Sequence, residues 1–156
     1  PGYKLVRDCQ TAGVMVTSVP GASAMLTAVQ LSGLPTDQFF YAGFLAPKTT
    51  ARKKQLQELA GLTATLIIPE APHRIAETLA DCAAVLGDRA AAVTRELTKK
   101  FEEVRAGSLP ELAAHYETAQ VRGEFVLVIA GRDENTAQLS DKDLSALVKK
   151  SMKTIS

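Results

Sequence analysis

Two hydrophobic periods alternate along this chain, and they divide it into helices and strands. Residues 3–12 (YKLVRDCQTA) have helical spacing and stop at Gly13, a residue suited to the left-handed close of a helix. VMVTSV (14–19) then reads as a strand. SAMLTAVQLS (23–32) reads as a helix with Gly33 beyond its end, and FFYAGFL (39–45) as a second strand. ARKKQLQELA (51–60) puts Leu56, Leu59 and Ala60 on one helical face, and ATLIIP (64–69) is an apolar run of buried-strand type. Pro72 opens a helix whose Ile75, Leu79, Cys82 and Leu86 form one stripe before Gly87 ends it. AAAVT (90–94) and FEEVRAG (101–107) read as neighbouring strands. Ser108 and Glu111 have capping-box spacing, and EFVLVIA (124–130) lacks polar alternation, which predicts a central strand. The polar stretch 132–141 reads as a linker to a last amphipathic helix carrying Leu144, Leu147, Val148 and Ile155.

Strands alternating with helices predict an α/β fold with a mixed, mostly parallel sheet and helices on both faces. In such sheets ligands collect where strands end and loops turn into helices. A chain of 156 residues can hold one such domain with a real core. The chain opens on Pro-Gly and stops inside an amphipathic pattern, which reads as a fragment cut at both ends. With 46% apolar and 22% charged residues it has ordinary globular composition, and its longest apolar run is too short for a bilayer. A formal charge of +1 confines any basic footprint to a local patch. Cys9 and Cys82 lack CxxC spacing, which favours a reducing, cytoplasmic compartment over a disulfide or zinc framework.

Three predicted strand-to-helix junctions carry unusual residues. In SVPGASA (18–24) the Pro20-Gly21 turn lets a ligand approach the backbone, while Ser23 can cap the next helix. An ordinary capped turn has the same pattern. In IPEAPHR (68–74) Glu70 ends a strand, and His73 and Arg74 place cations in a first helical turn, against the helix dipole. A solvated Glu70–Arg74 pair would leave the same trace. In TRELTKKFEEV (94–104) the residues Arg95, Glu96 and Lys99 leave a strand at the same predicted edge, although a solvated charge run looks alike. The usual nucleotide-phosphate signatures GxGxxG and GxxxxGK[ST] are absent, His73 and His115 lack partners at metal-ligand spacing, and Ser23 has no evident triad. No metal is expected.

Taken in order, VPGASA, YAGFLAPK, EAPHR, RELTKKFEEV and RGEFVLVIAG resemble the tetrapyrrole-methylase superfamily, and within it the small-subunit ribosomal RNA cytidine 2′-O-methyltransferases. The resemblance runs from Pro1 to about Gly131. It implies a two-domain, homodimeric α/β enzyme that binds S-adenosylmethionine between its domains. On that comparison residues 1–20 are a remnant of the N-terminal methyl-donor domain, 21–131 are the C-terminal α/β domain, and 132–156 are a linker and the start of a helical region. The resemblance implies that Ser23, Ala24, Glu70, Ala71 and Leu97 border the methyl donor. It implies also that Lys48, Arg52, Arg74 and Arg95 contact RNA and that Glu96 and Lys99 serve the reaction. Pro69 stands where relatives commonly have an aromatic residue, and Ala42 where a Glu is usual.

The activity implied is methylation of a cytidine 2′-oxygen in 16S ribosomal RNA of the small subunit, with Glu96 as the candidate proton acceptor and Arg95, Arg74 and Lys99 on flanking phosphates. Two other classes fit the same residues: a small-molecule methylase acting on a tetrapyrrole or a diphthine precursor, and a non-catalytic module that dimerises or docks RNA.

Overall fold

A computed structural model describes residues 2–133. They form α1 (Tyr3–Thr11), α2 (Ala24–Ser32), β1 (Phe39–Tyr41), α3 (Thr49–Leu59) and β2 (Thr65–Glu70). A 3-10 turn (Pro72–Arg74) leads into α4 (Ile75–Leu86), followed by β3 (Ala90–Arg95), β4 (Glu103–Ser108), α5 (Leu109–Thr118) and β5 (Phe125–Ile129). The closing helix, and the linker beyond Asp133, lie outside the described residues.

The sheet runs β1-β2-β5-β3-β4. It is mixed, as expected, but mostly antiparallel: only β1/β2 is parallel, while β2/β5, β5/β3 and β3/β4 are antiparallel. The helical crossovers do join strands that point the same way, from β1 to β2, β2 to β3, and β4 to β5. Two of the three crossovers leap over a strand, however, and the strand in between runs backwards. Helical alternation along a chain reveals the direction of a crossover but not how many strands it skips.

The apolar stripes read from sequence fill two layers. On one face Leu66, Ile68, Val93, Leu127 and Ile129 meet Leu56 of α3, the Ile75, Leu79, Cys82 and Leu86 stripe of α4, and Leu109, Leu112 and Tyr116 of α5. On the other, Ile67, Val126 and Val128 meet Ala28 and Val29 of α2, with Met25, Leu34 and Leu97 partly buried around them. β5 is buried along its whole length because both of its faces are covered. The capping box forms as expected, with Ser108 N–H donating to Glu111 Oε2 at 2.8 Å.

Two strand expectations fail. Residues 14–19 form no strand: Val14, Met15, Val16 and Val19 are exposed, and no neighbour among the described residues offers them a ladder, without which a β-patterned run has nothing to stabilise it. The run 39–45 pairs only through Tyr41, with one further rung from Ala42 N–H to the Ile67 carbonyl at 3.0 Å. At Gly43 the backbone turns left-handed, with φ of 71°. That early stop explains how Pro69 is tolerated inside β2, since no strand lies on its β1 side to require an N–H.

Candidate functional site

The register sets one rim of the sheet. Glu70, Phe125, Arg95 and Glu103 lie abreast, so the ends of β2 and β3 share this rim with the beginnings of β5 and β4. The loops 71–74, 96–102 and 122–124 therefore converge there. α2 runs the other way: residues just after it are tied to the start of β2, by Thr65 Oγ1 donating to the Pro35 carbonyl at 2.7 Å. Its Ser23-capped start is thereby directed toward the same rim, and both Met25 and Leu97 pack on the apolar cluster beneath it.

Ser23 is half-buried and holds the Leu26 N–H weakly at 3.5 Å, while Ala24 is exposed beside it. Glu70 turns away from solvent. Its Oε2 accepts from Thr78 Oγ1 at 2.6 Å and lies 3.4 Å from Arg74 Nη2, and its Oε1 accepts from the Ala71 N–H at 2.8 Å. Its carboxylate closes the turn into α4 rather than bordering a ligand, so the contribution of Glu70 to a site there is backbone. Ala71 and Leu97 are half-buried on the rim.

The basic track needs correction. Arg52 is fully buried: Nε donates to Asp81 Oδ2 at 2.6 Å, and the remaining nitrogens reach the Pro47 carbonyl, Thr49 Oγ1 and Glu77. Its place on the inner face of α3 makes it an internal strut, unable to touch a polymer. Arg74 is similarly engaged, donating from Nη2 to the carbonyls of Leu45 at 2.9 Å and Ala46 at 3.2 Å, and so clamps the β1–α3 loop to α4. Lys48 is exposed at the start of α3, alone of the three in being free to meet a ligand.

Arg95, Glu96 and Lys99 do come together. Glu96 has left-handed backbone, φ 48°, as has Thr98 at 63°. Hydrogen bonds hold this uncommon shape: Glu96 N–H donates to the Glu124 carbonyl at 3.0 Å, and Glu124 N–H returns to Glu96 Oε1 at 2.9 Å. Lys99 Nζ bridges Glu96 Oε1 at 3.0 Å and Glu124 Oε2 at 2.9 Å. The Glu124 N–H, and then Lys99, hold the Glu96 carboxyl below its ordinary range, while hydrogen bonds to Glu124 and Glu96 raise the Lys99 ammonium. Arg95 Nε donates to the Arg122 carbonyl at 2.8 Å, and its Nη1 lies 3.6 Å from Glu103. A hollow of about 240 Å³ lies against Arg95, Glu96, Phe101, Arg122 and Gly123.

Sequence reasoning missed the 122–124 turn. A parallel sheet would put the start of β5 at the far rim, and only its reversed direction brings Glu124 to Glu96. Among the described residues no group of His, Cys, Asp and Glu side chains is arranged to hold a metal, and no helix is long and apolar enough to cross a membrane.

Residues 1–113 match the family model described as Tetrapyrrole (Corrin/Porphyrin) Methylases. The chain belongs to this family. The tetrapyrrole-methylase assignment agrees with similarity to proteins called Ribosomal RNA small subunit methyltransferase I. That of Micromonospora olivasterospora is 50% identical over 147 residues, 94% of this chain and 47% of that protein. That of Bacillus subtilis (strain 168) is 46% identical over 131 residues, 84% and 45% of the respective chains. This tetrapyrrole methylase thus spans about half the length of these curated relatives. Its fold is shared with a cobalt precorrin-4 methyltransferase of cobalamin biosynthesis, at TM-score 0.56 and 15% identity over 83% of this chain and 57% of that one. The fold is shared also with the uroporphyrin-III C-methyltransferase of Thermus thermophilus, at TM-score 0.54 and 20% identity over 83% and 56%.

Proposed function

We propose that the protein containing this chain transfers a methyl group from S-adenosylmethionine to the 2′-oxygen of a cytidine in 16S ribosomal RNA, and that this chain supplies one wall of the cleft. The observation that carries the reading is the 50% identity, along 94% of the chain, to a relative named for small-subunit ribosomal RNA methylation. The precorrin and uroporphyrin methylases are far more distant, at 15% and 20% identity, and their likeness supports the fold alone.

The residues at the rim suit one side of the donor. Met25 and Leu97 offer an apolar wall to a flat ring, and the opening N–H groups of α2 beside Ser23 and Ala24 favour a carboxylate. Glu70 and Ala71 contribute backbone at the turn into α4. When bound, S-adenosylmethionine brings an electrophilic sulfonium methyl, so the protein's task is chiefly to orient the ribose oxygen toward it. Arg95 and Lys99, held by their carbonyl and carboxylate partners, fix the shape of the loop against which the target nucleotide would lie. With its carboxyl held acidic, Glu96 is a poor proton acceptor. It works instead as the anchor that sets Lys99 and the 122–124 turn. Cytoplasmic location and a homodimer accompany this reading. Half-exposed Phe39, Phe40 and Tyr41 on the outer strand give a second copy apolar surface to cover.

The test uses the full-length protein, methyl-labelled S-adenosylmethionine and isolated small ribosomal subunits, with digestion and mass spectrometry to locate the label. Label on a cytidine ribose is expected, and Lys99→Ala should lower transfer at unchanged melting temperature. Label on a tetrapyrrole or a diphthine precursor with none on RNA would overturn the reading. So would calorimetry without heat on adding the donor, the result for a docking module.

A further inference from the structure

The loop between β3 and β4 spends its carboxylates on itself. Glu96 is held by Lys99 and the Glu124 N–H, and Glu102 Oε2 by the Thr98 N–H at 2.6 Å. Glu103 lies against Arg95 and Arg105, and Glu124 is bound by Lys99. Backbone hydrogen bonds from Lys99 N–H to Glu96 and from Glu102 N–H to Lys99 stiffen the loop further. Among the described residues, two cations of this rim have no carboxylate partner, Lys100 and Arg122.

Between them stands Phe101. The residue is 66% exposed, it forms one wall of the 240 Å³ hollow that Arg95 and Arg122 also line, and Lys100 Nζ sits 5.6 Å from its ring centre. A large apolar ring left in water on a rigid loop gains nothing for the fold. Among the described residues no other large apolar side chain lines the hollow, and the ring's flanking side chains include the cations Lys100, Arg95 and Arg122, which disfavours an apolar protein partner. A π-face flanked by unpaired positive charge instead matches a nucleobase with its neighbouring phosphates, since stacking accepts any base and the cations follow the backbone.

We infer that Phe101 is a stacking platform for one unpaired base of single-stranded RNA, with Lys100 and Arg122 holding the adjoining phosphates. The inference rests on the reading that RNA is the substrate, and it assigns a subsite beside the reacting nucleotide. An RNA segment already unstacked pays less to present a ribose edge, so the platform would select a looped or single-stranded target over a duplex.

The experiment titrates a fluorescein-labelled single-stranded oligoribonucleotide, and a matched strand of abasic ribose phosphate, with the full-length protein, and measures methyl transfer in the same preparations. Phe101→Ala should weaken binding to the base-bearing strand by roughly 5- to 160-fold, Phe101→Leu should reproduce the loss, and Phe101→Tyr should restore affinity. On the abasic strand wild type and Phe101→Ala should bind alike. Lys100→Ala and Arg122→Ala should weaken both strands and each flatten the salt dependence by about 0.7 in log–log slope. A protein that methylates RNA yet shows less than a twofold effect of Phe101→Ala overturns the platform and leaves the proposed function standing. Equal loss on the abasic strand also overturns it, as does a defect confined to a protein complex. A wild type that neither binds nor methylates RNA overturns both.

Discussion

Replacing Arg52 separates a structural role from a nucleic-acid role at one residue. Its side chain is 0% exposed, and Asp81 beside it is 8% exposed, so Arg52→Met strands a buried carboxylate. Lys53 Nζ, 3.4 Å from Asp81 Oδ1, remains as partial compensation. Removing one member of a buried ion pair costs about 3–5 kcal/mol, because the survivor keeps its desolvation penalty and loses its partner. Lys53 draws the expectation toward the lower end, about 3 kcal/mol, plus the loss of donors to the Pro47 carbonyl and Thr49 Oγ1. At about 2–4 °C per kcal/mol for a domain of this size, the melting temperature should fall by roughly 6–12 °C. Urea unfolding of wild type, Arg52→Met, Asp81→Leu and the double variant completes a cycle in which the double variant recovers most of the loss. The salt slope of RNA binding, measured well below the melting temperature, should stay unchanged in Arg52→Met. A loss under about 1 kcal/mol, or a flattened slope with intact stability, would refute the buried-strut assignment.

Three further expectations follow from the same packing. A Cβ at Gly131 would run into the backbone carbonyl of Thr63, so Gly131→Ala should lower stability by about 1–3 kcal/mol, seen as a reduced urea midpoint. Burial, then the neighbouring Asp81 carboxylate, push the Cys82 thiol up to about 12, while Cys9 is only partly covered; a thiol reagent at neutral pH should therefore label Cys9 alone until denaturant exposes the second. The Glu96 carboxyl lies below its ordinary 4.5 and the Lys99 ammonium above 10.5. Their mutual support should hold through neutral pH, fade only as acid passes the depressed Glu96 value, and at the other extreme be lost as base passes the raised Lys99 value. Exchange protection of the Glu124 amide reports this, and loss of protection already at the ordinary carboxylate value would contradict it.

Helix positions were legible because each helix declares itself locally. The α4 stripe, the Gly33 and Gly87 stops and the Ser108–Glu111 box need only neighbours three or four residues away. Strand order was not, because it depends on partners remote in sequence: the alternation of elements is the same whether α4 joins adjacent strands or, as here, carries the chain past β5. Residues 14–19 show the same dependence, having a strand's composition and no ladder partner among the described residues. The burial of Arg52 and of the Glu70 carboxylate was hidden for a related reason. A charged residue reads as solvated until its partner is known, and the partners Asp81 and Thr78 lie 29 and 8 residues away.

The reversed strand bears directly on how the rim works. Were β5 parallel to β2 and β3, its acidic start would lie at the far end of the sheet, and Glu96 would meet Lys99 with no third group. Its antiparallel course brings Glu124 into the gap, where the backbone exchanges two hydrogen bonds with Glu96 and the carboxylate takes the other side of Lys99. Two carboxylates around one ammonium leave no net positive charge at that point. The cationic character of the rim therefore falls to residues outside the knot, chiefly Lys100 and Arg122, while the knot supplies rigidity. A dense charge run at the end of a strand thus divides its labour: the paired charges fix the loop's shape, and the unpaired ones and the ring they flank are left to meet the ligand.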